Sequence, residues 1–524
     1  MNRLNPFGEP EGGRADIEDV MEGFIETNFG SFSSVVDADT CDKVRVIVGA
    51  KGTGKTVYMR RFSIHAEQYL RDANRPYVVV NEPEFPETDA VKNFCKLWSK
   101  GTVSEKWTNV WKCALTRALV SHLLYVTALS SVLTDKDREN IMSFVGADNI
   151  LPAFSCEMSA YAELKAVLSR IKTVNDFEMY VNNYNWDMLD QLIGKLLVKM
   201  PKIFFFIDCI DEEYHRAPMY WMRCQKGLFY RTMKIIRSSH YRDKFNVVIT
   251  IRDQVYSNIL ESEDKSKFLN TENILVLKWN YRAIKHFFSE KISQLEDCYF
   301  FRGAQEKTMK NWLGIDSISN KKRGKKELLL DYILRHTRML PRDVVQIGNA
   351  LSAMRREAVK LNWIVPDDFY ETFVRDKVAG YAYICGDELF DSCANQLLSI
   401  QEETTQRYSS TNEFEKQIKE VFRERIQEFN LDCFTWDQLQ ELTKKITSQI
   451  GGEASRFFDM LWQSGGIGYL EGSTSGIEEE HFFVDNSQNF RLPPQKDRYV
   501  FSSCVKDYVG ITAITTSPIM GCLK

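Results

Sequence analysis

"VRVIVGAKGTGKTVYMRRF", residues 44–62, decides the reading of this chain. Val44, Val46, Ile47 and Val48 form a short β-branched run of the kind that is buried in a parallel sheet. Gly49-Ala50-Lys51-Gly52-Thr53-Gly54-Lys55-Thr56 follows and satisfies G-x-x-x-x-G-K-[ST] at every fixed position. Glycines let a backbone wrap closely round an anion, with successive N–H groups pointing inward. From Lys55 onward the pattern is helical, and a helix N-terminus adds the positive end of its dipole. Lys55 is therefore expected to reach the β- and γ-phosphates of a nucleotide, and the Thr56 hydroxyl to bind Mg²⁺. A Gly-rich turn with no ligand is the plainer alternative; a strand in front and a helix behind weigh against it.

A second stretch supplies the carboxylate that such a loop needs. In "KIFFFIDCIDEEYHR", residues 202–216, Ile203 to Ile207 is an unbroken apolar strand and Asp208 stands at its carboxyl end. Ligands of open α/β sheets bind outside those ends, so Asp208 is expected to hold Mg²⁺ through water. Asp211 or Glu212 is expected to orient and deprotonate an attacking water. An acidic helix cap with a favourable first turn is the competing reading. The third piece is "FNVVITIRDQVY", residues 245–256, where Val247 to Ile251 reads as a strand ending at Arg252. An arginine there would stabilise charge on a transferring phosphate, or else be an ordinary surface residue. Thr250 and Asn246 either assist or are plain strand residues.

A chain of 524 residues is too long for one ordinary core, so two or three domains are expected. Hydrophobic residues at 44% exclude extensive disorder, and a net charge of −4 argues against a strongly basic nucleic-acid binder. Twelve cysteines lie scattered with no C-x-x-C pair, which speaks against a zinc ribbon and fits a reducing cytoplasm. The opening "MNRLNPFGEPEGGRADIEDV" has no apolar core of a signal peptide. "ALTRALVSHLLYVTALSSVL" carries Arg117 and His122 and reads as a buried helix, so no membrane association is expected.

Strands are expected at 44–48, 77–80, 203–207, 247–251 and 274–279, separated by helical patterns. The expected fold is α/β, a three-layer αβα nucleotide domain over residues 1–280 with a helical insertion at about 86–200. Trp98, Trp107 and Trp111 in that insertion read as core. Residues 281–385 read as a helical lid, interrupted by "SNKKRGKKE" at 319–327, which is expected to be a solvated loop or, alternatively, a phosphate-backbone contact. Pro341 in "RHTRMLPRDVVQIGNAL" suits a first helical position, with Arg342 on the first turn. Residues 386–524 read as a helical linker and then helix, helix, turn, strand, loop, strand, a winged-helix order. Its last helix offers only Arg456 against Glu453 and Asp459, which favours a protein-facing or structural role over base reading.

The Gly49–Thr56 loop, "FFFIDCIDE", "VVITIRD" and "MLPRDVV" come in the order used by P-loop ATPases of the AAA+ and STAND groups. Within these the chain resembles bacterial anti-phage defence ATPases, with distant similarity to origin-recognition initiator ATPases. The resemblance implies a lid, a C-terminal winged helix, ATP and Mg²⁺. It assigns Lys55 and Thr56 to phosphate and metal, Asp208 to metal, and Arg252 to the arginine that ends the strand before the lid. Pro341 and Arg342 resemble a lid motif whose arginine touches nucleotide phosphate, and "NPFGEP" at 5–10 is similar to a segment packed near adenine. Cys209 stands where AAA+ proteins have glutamate, so the base is expected at Asp211 or Glu212.

The function expected is an ATP-driven switch that couples nucleotide state to a partner effector in phage defence. No H-E-x-x-H, H-x-E…C-x-x-C or G-x-S-x-G occurs, so a cleaving activity would belong to that partner. A homo-oligomer or an effector complex is expected, with an arginine supplied in trans from Arg282, Arg302 or Arg338. The alternatives are a DNA-binding initiator or loader ATPase and a nucleotide-stabilised scaffold without turnover.

Overall fold

The computed structural model describes residues 5–16, 20–21, 23–25, 43–69, 76–81, 86–98, 103–145, 151, 159–208, 217–241, 243–260, 272–301, 304–320, 325–360, 369–404, 411–450, 455–472, 478–482 and 491–512. Five parallel strands fall on the five apolar runs: β1 (Val46–Gly49), β2 (Tyr77–Asn81), β3 (Ile203–Ile207), β4 (Phe245–Arg252) and β5 (Ile274–Val276). They lie in the order β2-β3-β4-β1-β5. Every residue of β1, β3 and β4 is buried, which is why these stretches are predominantly apolar and do not alternate, with Asn246, Thr250 and Arg252 the polar members of β4. Fully burying one such Ile or Phe contributes about 1.5–3 kcal/mol. The fold is therefore α/β around a five-stranded parallel sheet.

The chain divides into two compact units: residues Asn28–Gly49 with Lys55–Leu277, and residues Met1–Thr27, Ala50–Gly54 and Lys278–Lys524. In the first, the stretch between β2 and β3 is helical, with helices at Thr88–Lys96, Val103–Tyr125, Asp135–Met142, Ala160–Arg170, Val174–Tyr180 and Asn185–Leu197. Val103–Tyr125 is buried nearly all round, Thr108, Thr116, Arg117, Ser121 and His122 included. Several of its polar groups have partners: Arg117 pairs with the buried Glu163 and donates to the Tyr180 hydroxyl, and His122 Nδ1 lies 2.9 Å from the Tyr77 hydroxyl. Burial pushes the Glu163 carboxyl above the usual carboxylate range, while the Arg117 guanidinium pulls it back. Trp107 and Trp111 are core, and Trp98 packs edge-on against Phe177. No helix among the described residues is long and apolar enough to cross a membrane.

The tightest helix contact in this unit is at Gly227 on Pro218–Ile236. A Cβ there would come within 2.4 Å of Trp107 Cβ and 2.8 Å of the Trp107 backbone. Gly227→Ala is accordingly expected to destabilise the protein by about 1–3 kcal/mol, since backbone must move to admit one methyl. A thermal melt that leaves the unfolding midpoint unchanged would contradict this packing.

The second unit is built on helices Tyr281–Ser293, Pro341–Lys360 and Phe369–Thr404. Phe7 is fully buried, its ring 5.8 Å from Phe288 and 5.1 Å from Trp312. Asn349 clamps the same segment, accepting from the Phe7 amide and donating to the Gly8 carbonyl. Gly348 makes room for that ring, because a Cβ there would sit 2.5 Å from it. The basic stretch expected as a loop at 319–327 is instead mostly strand: β6 (Ser317–Asn320) pairs antiparallel with β7 (Lys325–Leu328). Period-2 alternation lets Ile318 be buried while Lys326 faces solvent, and residues 321–324 lie outside the described residues. A second sheet, antiparallel and ordered β10-β9-β11-β8, comprises β8 (Cys433–Phe434), β9 (Ile467–Gly472), β10 (Glu478–His481) and β11 (Arg498–Phe501). Helices Trp436–Ile450 and Ser455–Gln463 precede β9. Phe457, Phe458, Leu461 and Trp462 of the latter are buried, and Arg456 is exposed.

Candidate functional site

Because the strands are parallel, β1, β3 and β4 all end at one edge of the sheet, and there the chemistry-bearing residues of the first unit collect. β1 ends at Gly49, which is the register neighbour of Arg252 at the end of β4. Lys55 opens the helix Lys55–Tyr69, and Asp208 directly follows β3. Lys55 and Arg252 are 5% and 4% exposed, an unusual depth for two cations.

Asp208 is the hub. Its carboxylate accepts from the Thr56 hydroxyl at 2.7 Å on Oδ2 and from the Thr250 hydroxyl at 2.6 Å on Oδ1. Its main-chain carbonyl accepts from the Tyr161 hydroxyl at 2.5 Å. Thr56 and Asp208, both expected to serve one metal ion, thus meet directly although 152 residues separate them. A hydroxyl and a carboxylate oxygen are hard donors suited to Mg²⁺, which takes one or two carboxylates and completes its shell with water and substrate phosphates. The pair fits that ion. Thr250 joins the site on the carboxylate's other oxygen. Tyr161 was not legible as a partner, because it lies in the helical insertion with no local motif around it.

The loop itself has the backbone its glycines suggest. Gly52 and Gly54 adopt φ of +94° and +92°, a region closed to most side chains. Within the second unit, Thr53 donates to the Ala50 carbonyl through its amide and its hydroxyl, the Arg342 amide donates to the Gly52 carbonyl at 3.2 Å, and Trp279 Nε1 donates to the Thr53 carbonyl at 3.0 Å. Each carbonyl so engaged turns the following amide the opposite way, since C=O and N–H of a trans peptide are antiparallel. Arg342 lies against the loop through its Cβ, 3.2 Å from where a Gly52 Cβ would stand. Its Nε is buried with no hydrogen-bond partner among the described residues, an atom still open to an acceptor. Pro341 is the first residue of its helix, and Met339 just before it is held at φ +57°.

Asp211 and Glu212 lie outside the described residues, as does Arg302. Arg338 is committed within its own chain: it is mostly buried, paired with Asp343 at 2.7 Å and Glu388 at 2.9 Å. Asp343 also accepts from the Arg338 amide and the Tyr381 hydroxyl. To reach a neighbouring subunit, an arginine so engaged has to break its buried pair with Asp343. Arg282 is exposed. No protein-family model matches the chain, and a search of curated proteins finds no match.

Proposed function

We propose that the chain is a P-loop ATPase that acts as a molecular switch, binding and hydrolysing ATP and coupling nucleotide state to assembly with an effector protein. The observation that carries this is the direct hydrogen bond from Thr56, in the phosphate-loop motif, to Asp208 at the end of β3. In this reading the phosphate loop and Lys55 bind the phosphates, and Arg342 as a phosphate contact rests on the family resemblance. Thr56 and Asp208 would hold Mg²⁺, which neutralises phosphate charge when bound. Thr250 keeps the Asp208 carboxylate turned toward Thr56. Arg252 stabilises charge on the transferring phosphoryl group. Asp211 or Glu212 orients the water and takes its proton.

The sheet with its flanking helices fits a three-layer αβα nucleotide domain, and the β8–β11 sheet with the two helices between β8 and β9 fits a winged helix. The inward-facing aromatics of Ser455–Gln463 favour a structural or protein-facing use of that domain. Anti-phage defence rests on the family resemblance alone.

Asp211→Asn and Glu212→Gln test the base. ATP binding is expected to survive in both, with turnover reduced at least about tenfold in one of them, Asp211 being the favoured position. Unchanged phosphate release in both variants would place the base elsewhere.

A further inference from the structure

We propose that Tyr161 is a positioning residue through which the helical insertion sets the metal-binding end of β3. The inference rests on the nucleotide reading above. The Tyr161 ring is 2% exposed, and its hydroxyl donates to the Asp208 carbonyl at 2.5 Å. That carbonyl belongs to the residue whose carboxylate engages Thr56 and Thr250, so the phenol fixes the backbone on which the carboxylate stands.

The same cluster ties the end of β3 to a neighbouring helix. The Tyr161 ring lies edge-to-face on Trp111, with centroids 5.8 Å apart, and Trp111 Nε1 donates to the Cys224 carbonyl at 2.9 Å. Cys224 lies on Pro218–Ile236, the helix that follows residues 209–216. One aromatic pair therefore links the backbone at the end of β3 to that of Pro218–Ile236. Tyr161 is itself fixed by its helix: Ser159 caps Ala160–Arg170, and Glu163 on that helix is tied to Arg117 of Val103–Tyr125. A shift of Ala160–Arg170 against Val103–Tyr125 moves the hydroxyl, and with it Asp208. The carboxylate answers to Thr56 and Thr250, and the carbonyl answers to the insertion.

Tyr161→Phe in the full chain keeps the ring on Trp111 and removes only the hydroxyl. The expected result is a kcat lower by about tenfold with the KM for ATP within about twofold of the parent, because the phosphate loop is untouched. Hydrogen exchange of the ligand-free variant should be faster over β3 and 209–216. Protection of Ala160–Arg170 on adding Mg·ATP should be present in the parent and lost in the variant. A lower unfolding midpoint with parental kcat and parental exchange at β3 would mark a purely structural tyrosine and overturn the proposal. Should the parent neither bind nor turn over ATP, the nucleotide reading fails. The ligand-free exchange then still decides whether Tyr161 holds the strand end, faster exchange supporting that hold and unchanged exchange overturning it.

Discussion

Lys55→Ala is expected to remove ATP binding at concentrations that saturate the parent protein. Lys55 sits at the first turn of Lys55–Tyr69, where its ammonium adds a full charge to the partial charges of the loop amides. Charge-assisted hydrogen bonds contribute about 1.5–3 kcal/mol each, so losing contacts to two phosphates weakens binding on the order of a hundredfold or more. Alanine is an excellent helix former, so the helix should persist and the loss should be local. Calorimetric titration with ATP and a thermal melt of the same sample separate the two effects. Parental affinity in a folded Lys55→Ala protein would sink the assignment of the loop.

Asp208→Ala is expected to cost more in turnover than in binding. The carboxylate engages both the Thr56 and Thr250 hydroxyls, and its removal leaves Thr250, which is 1% exposed, without that acceptor. ATP affinity without Mg²⁺ should change little, whereas the gain in affinity on adding Mg²⁺ should disappear. Turnover should fall by about 10²–10³, the range seen when one preorganised electrostatic contact to a transition state is deleted. Thr250→Val, which removes a hydroxyl at nearly constant shape, should lower turnover less, since Thr56 still holds the carboxylate from the other oxygen. Equal ATP turnover by parent and Asp208→Ala would contradict the role given to β3.

What was legible in the chain follows from locality. β1, β3 and β4 announce themselves because strands buried on both faces are continuous apolar runs, and each leads into a residue of different chemistry, Gly49, Asp208 and Arg252 in turn. The loop was legible because positive φ at Gly52 and Gly54 leaves little choice of residue. Strand order was not, since β1 lies between β4 and β5, distant in sequence, and no local pattern encodes that neighbour choice. The basic 319–327 stretch misled because charge density speaks of solvation and not of conformation; the paired strands Ser317–Asn320 and Lys325–Leu328 bury Ile318 and leave Lys326 exposed. Arg338 looked available because a sequence does not display Asp343 and Glu388 folded round it. Tyr161 illustrates the same limit at the site itself: it is tied to Asp208 by a hydrogen bond across 47 residues.

The central claim is turnover of ATP at the Lys55–Thr56–Asp208 site, and multiple-turnover phosphate release tests it most directly. With ATP in large excess over chains and Mg²⁺ present, the parent protein is expected to release phosphate far in excess of the number of chains. Chelation of Mg²⁺ or Lys55→Ala should abolish that release. Tight ATP binding without release beyond the number of chains, or release that Lys55→Ala leaves intact, would contradict it.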